Sequence, residues 1–208
     1  PQNLRPFATG LRNSLGLAVT LDSSGNTERV WQAEKSVDYT DANTPAEELN
    51  ELTRGARYGW PYCVSDARGR SVIARGYENR ARCQRPAQQQ PFLAMPAHVA
   101  PLQLLAVPPQ PEGQTAAPWN GRLLAVWHGY RAQGHRIVGW RIGADGRPTG
   151  ATENIVSGWL AMPGLRPQGT PAGITVDRLG RLWKAGLRVR RTSTTASSVR
   201  SEIMNQAV

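Results

Sequence analysis

Leu15-Gly-Leu-Ala-Val-Thr20 is followed by Asp22-Ser-Ser-Gly25 and then by Arg29-Val-Trp-Gln-Ala-Glu34. Small and apolar residues fill the first run, a turn tetrapeptide breaks it, and a Trp-bearing run returns. That order predicts two antiparallel strands joined by a tight turn. Similar text comes back late in the chain as Ala172-Gly-Ile-Thr-Val176, a turn with Gly180, then Leu182-Trp183. A strand–turn–strand unit repeated within an all-β chain is the mark of blade-like sheets stacked side by side.

The text between the two copies has the same texture. Leu102–Val107, Arg122–His128, Ile137–Ile142 and Asn154–Leu160 read as short strands, and Ala144-Asp-Gly146 as a turn. The 21 Gly and 16 Pro suit many turns and short elements. A helical or 3-10 turn is expected only near Pro45-Ala-Glu-Glu-Leu49. Ser65 to Pro96, rich in Arg, Gln, Gly and Pro, reads as an elaborated loop on one rim. At roughly 40–45 residues per blade, the chain has room for about four. The expected fold class is therefore all-β, a partial β-propeller over residues 1–183. The basic, unpatterned residues 184–208 are expected to form a disordered or aberrant tail.

The formal net charge is +10, yet of the 25 Lys and Arg only Lys35 and Lys184 are lysine. The arginines are scattered, apart from the tail, where Lys184, Arg188, Arg190, Arg191 and Arg200 face Glu202 alone. No basic cluster is interleaved with stacking aromatics, which argues against nucleic-acid binding. No run of 18 apolar residues exists to span a membrane. Pro1 opens the chain without an initiator Met, a basic region or an apolar signal core, as in a segment of something longer or a mature product. Cys63 and Cys83 suit either one disulfide in an exported protein or two buried thiols. As a disulfide they would close a loop of about 20 residues, stabilising by roughly 3 kcal/mol. No CxxC or His-rich spacing points to zinc.

Three segments carry a family resemblance. They are Phe7-Ala-Thr-Gly-Leu-Arg-Asn-Ser-Leu-Gly-Leu-Ala18, Gly55-Ala-Arg-Tyr-Gly-Trp-Pro-Tyr-Cys63, and Pro96-Ala-His-Val-Ala-Pro-Leu102 followed by Trp119-Asn-Gly-Arg-Leu-Leu-Ala-Val126. In this order, across residues 5 to 183, they resemble the soluble glucose/sorbosone dehydrogenases, six-bladed β-propellers that use pyrroloquinoline quinone (PQQ) and calcium. The resemblance implies a C-terminal portion of a quinoprotein that oxidises a sugar hydroxyl or aldehyde and passes electrons to an external acceptor. It also implies a periplasmic or secreted location. The alternative is a non-catalytic propeller module that binds carbohydrate or protein.

The resemblance also implies a set of site residues. Arg12 and Asn13 match the Arg-Asn pair that contacts PQQ in the family, and a planar guanidinium suits a flat tricarboxylate. Ser14-Leu15 stands where Pro-Gln is commoner. Arg136 and Arg131 are candidates for a second cation on the cofactor. Glu34, Asp38 and Asp41 lie in the region that offers carbonyls and acids to calcium, which takes six to eight oxygens. Lys35 sits in the middle of that region, where the family has Glu-Asn-Ser. Two further departures bear on activity. The family's catalytic histidine belongs to earlier blades, so none of His98, His128 and His135 matches it and no general base is assigned. Gly169-Thr-Pro-Ala-Gly173 replaces a segment that carries arginines in relatives. The text after Trp183 reads like a reading-frame shift or a degraded terminus.

Overall fold

The computed structural model describes residues 4–80, 83, 88–109, 117–159, 169–189 and 201–207. Among these the regular structure is β, with one 3-10 turn at Glu78–Arg80 and no α-helix. The strands are β1 (Ser14–Leu21), β2 (Glu28–Glu34), β3 (Glu47–Leu52), β4 (Cys63–Ser65), β5 (Ser71–Ile73), β6 (Leu93–Met95), β7 (Pro101–Val107), β8 (Arg122–Trp127), β9 (Arg136–Ile142), β10 (Pro148–Val156), β11 (Thr170–Val176), β12 (Leu182–Val189) and β13 (Ser201–Ala207). They form sheets in the orders β1-β2-β3-β6, β10-β9-β8-β7 and β11-β12-β13, plus the β4-β5 hairpin. All ladders between named strands are antiparallel. The three larger sheets stack face to face, with β7 packed against β1 on one side and β11 on the other. This is a partial β-propeller.

The turns recur because their chemistry recurs. Asp22, Asp66 and Asp177 each open a tetrapeptide closed by Gly25, Gly69 and Gly180, whose φ values are 73°, 75° and 75°. A left-handed φ there favours glycine. Each Asp accepts backbone N–H bonds from its own turn: Asn26 to Asp22, Arg68 and Arg70 to Asp66, Leu179 and Arg181 to Asp177.

In β1 burial follows the two-residue period of a strand, with Gly16, Ala18 and Thr20 turned inward and Leu15, Leu17, Val19 and Leu21 outward. One core lies between the first and second sheets, built from Trp31, Ala33, Leu49, Met95, Leu104, Leu123, Ala125, Val138 and Trp140. A second lies between the second and third, built from Val107, Leu124, Val126, Ile137, Ile174 and Leu182. The middle sheet is therefore covered on both faces. That is why Leu123-Leu-Ala-Val126 reads as an unbroken apolar run rather than an alternating one.

Two expectations need correction. The segment near Pro45–Leu49 is not helical, because Glu47–Leu52 is a strand pairing with both β2 and β6. The boundary at Trp183 falls inside β12, which runs on to Val189 and pairs with β11 and β13. Backbone pairing on both sides holds this strand although its side chains lack an apolar pattern. Residues 190–200 of the expected tail, and Leu160 at the end of one expected strand, lie outside the described residues. The elaborated loop expected over 65–96 contains the β4-β5 hairpin, the 3-10 turn and β6. Cys63 and Cys83 form a disulfide there, with Cα atoms 5.5 Å apart.

Candidate functional site

The strands β1, β7 and β11 all begin at one end of the stacked sheets, where β2 and β8 end. The loops at that end hold most of the residues singled out by sequence. They are joined there by a continuous hydrogen-bonded rim. The Asn13 carbonyl accepts from the Lys35 N–H, and the Ser36 and Ala100 N–H groups both donate to Glu47. His128 and Gly129 donate their N–H groups to the carbonyls of Ala100 and Val99. The Thr170 hydroxyl donates to the His128 carbonyl, and His128 Nδ1 donates to the Pro171 carbonyl at 2.8 Å. The rim thus ties all three sheets together.

Two of the resemblance-bearing segments meet at this end. Tyr58 donates its N–H to Thr9 and Trp60 its N–H to Gly10, while Thr9 donates to Ala56. Gly10 has φ 76°, and a Cβ there would lie 2.7 Å from the Gly59 nitrogen, so only glycine permits this approach. The result sets the Arg12 guanidinium over the Trp60 ring, 5.4 Å from its centroid. Arg12 Nη1 donates to the carbonyls of Lys35 and Ser36, each at 3.1 Å. The main-chain N–H groups of Arg12 and Asn13 donate to Glu34 Oε1 at 2.9 and 2.6 Å. The Arg12–Asn13 backbone is therefore pinned, while its side chains stay accessible.

Glu34 belongs to a buried polar ladder. It stands opposite Glu48 across β2 and β3, and Gln32 stands opposite Asn50. Gln32 donates to Glu34, Asn50 donates to Gln32 and Glu48, and Ser65 donates to Glu48. No cation joins this set among the described residues. Burial consequently pushes the carboxyls of Glu34 and Glu48 up, although hydrogen bonds from Asn13, Arg12 and Gln32 to Glu34, and from Ser65 and Asn50 to Glu48, oppose it. Burial raises Glu47 to about 7, against the two backbone N–H groups it receives.

The other acids expected on a metal are engaged elsewhere. Asp38 is ion-paired with Lys35 at 2.9 Å and faces His98 Nδ1 at 3.2 Å. Burial would raise its carboxyl, but these two neighbours outweigh that and hold it below the usual range. Asp41 caps the Asn43 N–H, and its carbonyl accepts from His98 Nε2 at 2.6 Å. Glu34, Asp38 and Asp41 do not converge, and among the described residues no three His, Cys, Asp or Glu side chains are grouped to hold a metal. The carbonyls of Lys35 and Ser36 do converge, but upon the Arg12 guanidinium. These residues do not fit a calcium site.

The β8–β9 loop separates its cations. Arg136 directs its donors to the carbonyls of Gly134 and Ala132 and to Asn154 Oδ1, so its guanidinium is engaged locally. Arg131 stacks over the exposed Tyr130. Between these lies a group that sequence reading left without a role. His135 is 4% exposed, has φ 54°, and neither ring nitrogen has a partner among the described residues. A buried, unpaired imidazole on a left-handed backbone is costly on both counts. Gly129 and Gly134 make the loop this tight. A Cβ on Gly129 would meet the His98 carbonyl oxygen at 1.9 Å, and one on Gly134 would meet the Gly129 oxygen at 1.9 Å. Only the Gly-x-x-x-x-Gly-His spacing hinted at this in the sequence. Glu47 is held by Ser36 and Ala100, which left no local signal.

No protein-family model matches the sequence, and no curated protein matches it. Among solved structures, the chain is similar to an iodide structure of Trichoderma reesei Carbohydrate-Active Enzymes Family AA12, with 24% identity and a TM-score of 0.66. That likeness covers 86% of this chain and 51% of that one. It is also similar to a glucose dehydrogenase, with 18% identity, a TM-score of 0.53, and 86% and 42% of the two chains covered. A third is the soluble aldose sugar dehydrogenase of Escherichia coli in its apo form, with 14% identity, a TM-score of 0.52, and 86% and 43% covered. The chain spans about half the length of these structures or less. At such identities the shared property is the fold.

Proposed function

We propose that the chain is a portion of a quinoprotein sugar dehydrogenase, carrying part of the PQQ cradle but no general base. The observation that carries this reading is the union of the Arg12–Asn13 and Tyr58-Gly-Trp-Pro61 segments. They present an accessible guanidinium, backed by an indole, on a backbone pinned by Glu34. Such a group suits a flat, anionic ring system, which an arginine fork can grip by its carboxylates. When bound, PQQ would supply the hydride acceptor for oxidation of a sugar hydroxyl or aldehyde hydrate. The chain's own residues would hold and orient it. His98 and His128 hydrogen-bond within the rim, and in this reading no general base is assigned to either. A sugar substrate and an external electron acceptor belong to the same reading. Calcium finds no fitting ligand set in residues 34–41. The disulfide supports a periplasmic or secreted setting, and no described helix is long and apolar enough to cross a membrane.

Titration with PQQ, followed by quenching of tryptophan fluorescence, tests this reading directly. Saturable quenching is expected, because Trp60 lies under Arg12. Arg12→Ala is expected to weaken it about 10–100-fold, the size of one or two lost charge-assisted hydrogen bonds. Dye-linked oxidation of glucose or sorbosone by this chain is expected to be absent. No quenching, or equal quenching by wild type and variant, would sink the proposal.

A further inference from the structure

Residues 34–41 hold oxygens of the kind that a calcium ion takes, yet the chain's own donors reach them first. The carbonyls of Lys35 and Ser36 converge, and both accept from Arg12 Nη1 at 3.1 Å. The Asp38 carboxylate lies between the Lys35 ammonium at 2.9 Å and His98 Nδ1 at 3.2 Å. Glu34 Oε1 accepts the N–H groups of Arg12 and Asn13. The Asp41 carbonyl accepts from His98 Nε2, and its carboxyl caps the Asn43 N–H. Calcium gathers many oxygens at once, and its affinity rises with the number that are charged. Each of the oxygens named here already has a donor from the chain.

The positive charge on these oxygens is therefore built into the sequence. A guanidinium has only donors, and it stays charged at any ordinary pH. A divalent ion on the Lys35 and Ser36 carbonyls would meet that charge at the same oxygens, and like charges repel strongly at such range. Lys35 adds a second obstacle, because its ammonium neutralises Asp38. In the dehydrogenases that the sequence resembles, Asn stands at this place. Arg12 meanwhile keeps one edge open. Nη1 makes both bonds to the carbonyls, while Nε and Nη2 donate to no group among the described residues, and the side chain is exposed. The Trp60 indole supports the guanidinium face. The open edge carries two parallel N–H bonds, the arrangement that grips a carboxylate by both oxygens.

We propose that this site binds its planar polycarboxylate without a divalent metal ion, because the Arg12 guanidinium, braced on the Lys35 and Ser36 carbonyls, takes the metal's place. Lys35 serves the same end by keeping Asp38 from a metal. The inference rests on the reading of the site as a PQQ cradle, and it adds to that reading what the cradle requires of its surroundings. A cradle built on a metal ion fails when a chelator removes the ion. A cradle built on a guanidinium ignores the chelator and weakens as salt screens its charge.

Titration of the full chain with PQQ, in EGTA and again in excess calcium, tests it through tryptophan fluorescence. The apparent Kd of the wild type is expected to agree between the two buffers within about twofold and to rise with sodium chloride. The double variant Arg12→Ala, Lys35→Asn removes both charges and frees the two carbonyls and Asp38. It is expected to bind weakly in EGTA and to regain about tenfold or more in calcium, with circular dichroism confirming that it folds. Wild-type quenching that needs calcium would overturn the inference and leave the PQQ reading standing. A folded double variant indifferent to calcium would also overturn it, since the freed oxygens would then be no place for a metal. Absence of quenching in both buffers would sink the PQQ reading and this inference with it.

Discussion

Glu47 illustrates what single residues do at the rim. It sits at the start of β3, and its carboxyl collects N–H groups from Ser36 and Ala100, on segments far apart in sequence. Its folded pKa of about 7 lies above its ordinary value of 4.5. Between those two pH values the folded protein keeps a proton that the unfolded chain has released. The stability that Glu47 contributes is therefore fully present below about pH 4.5 and is lost as pH rises through 7. Glu34 and Glu48 are shifted the same way by burial and add to the slope. Glu47→Gln is expected to flatten the profile and to raise stability near pH 8 by about 2 kcal/mol. Urea titrations at several pH values measure both, and an unchanged slope would refute the assignment. At this scale the sequence was only partly legible. The Arg12–Asn13 motif stood out in the text, and the structure joins it to Trp60 and Glu34. Glu47 did not, because its partners Ser36 and Ala100 come from outside its own strand.

Whole elements were easier to read, for a physical reason. A strand with one covered face must alternate, as β1 does, and a strand covered on both faces reads as an apolar run, as β8 does. The β3 segment misled because Ala46-Glu-Glu-Leu49 are good helix formers, and ladders with β2 and β6 override such a weak local preference. β12 misled in the opposite sense. Its residues past Trp183 lack a pattern, and its place is fixed by partners on both sides. The segment from Thr53 to Phe92 is held differently again. Among the described residues its one strand ladder is the short β4-β5 pair, and it is tied down by the hydrogen bonds of Tyr58, Trp60 and Ser65 and by the Cys63–Cys83 link, which spans 20 residues. Replacing both cysteines with serine is expected to lower unfolding stability by about 3 kcal/mol. Chemical denaturation of the double variant measures it. The loss would fall on this segment, so limited proteolysis is expected to cut there first. Equal stability with and without the bond would show that the hairpin holds itself.

At the scale of the molecule, the stack of sheets imposes an order on its loosening. The middle sheet is the only one of the three covered on both faces, and Leu123, Leu124, Ala125 and Val126 are all at 0% exposure. The outer sheets each show one face to solvent, and contacts run from each sheet to its immediate neighbour. Stability in such an array is a sum of nearest-neighbour terms. Opening of an outer sheet then costs one interface, and opening of the middle one costs two. Amide hydrogens of β8 are expected to be the slowest to exchange with deuterium, in line with global unfolding, while β1 is expected to exchange through a cheaper local opening. Mass spectrometry of peptic fragments over time reads that hierarchy, and uniform exchange would contradict it. The two-sided burial of β8, first visible as an unbroken apolar run, thus makes the centre of the chain its slowest clock.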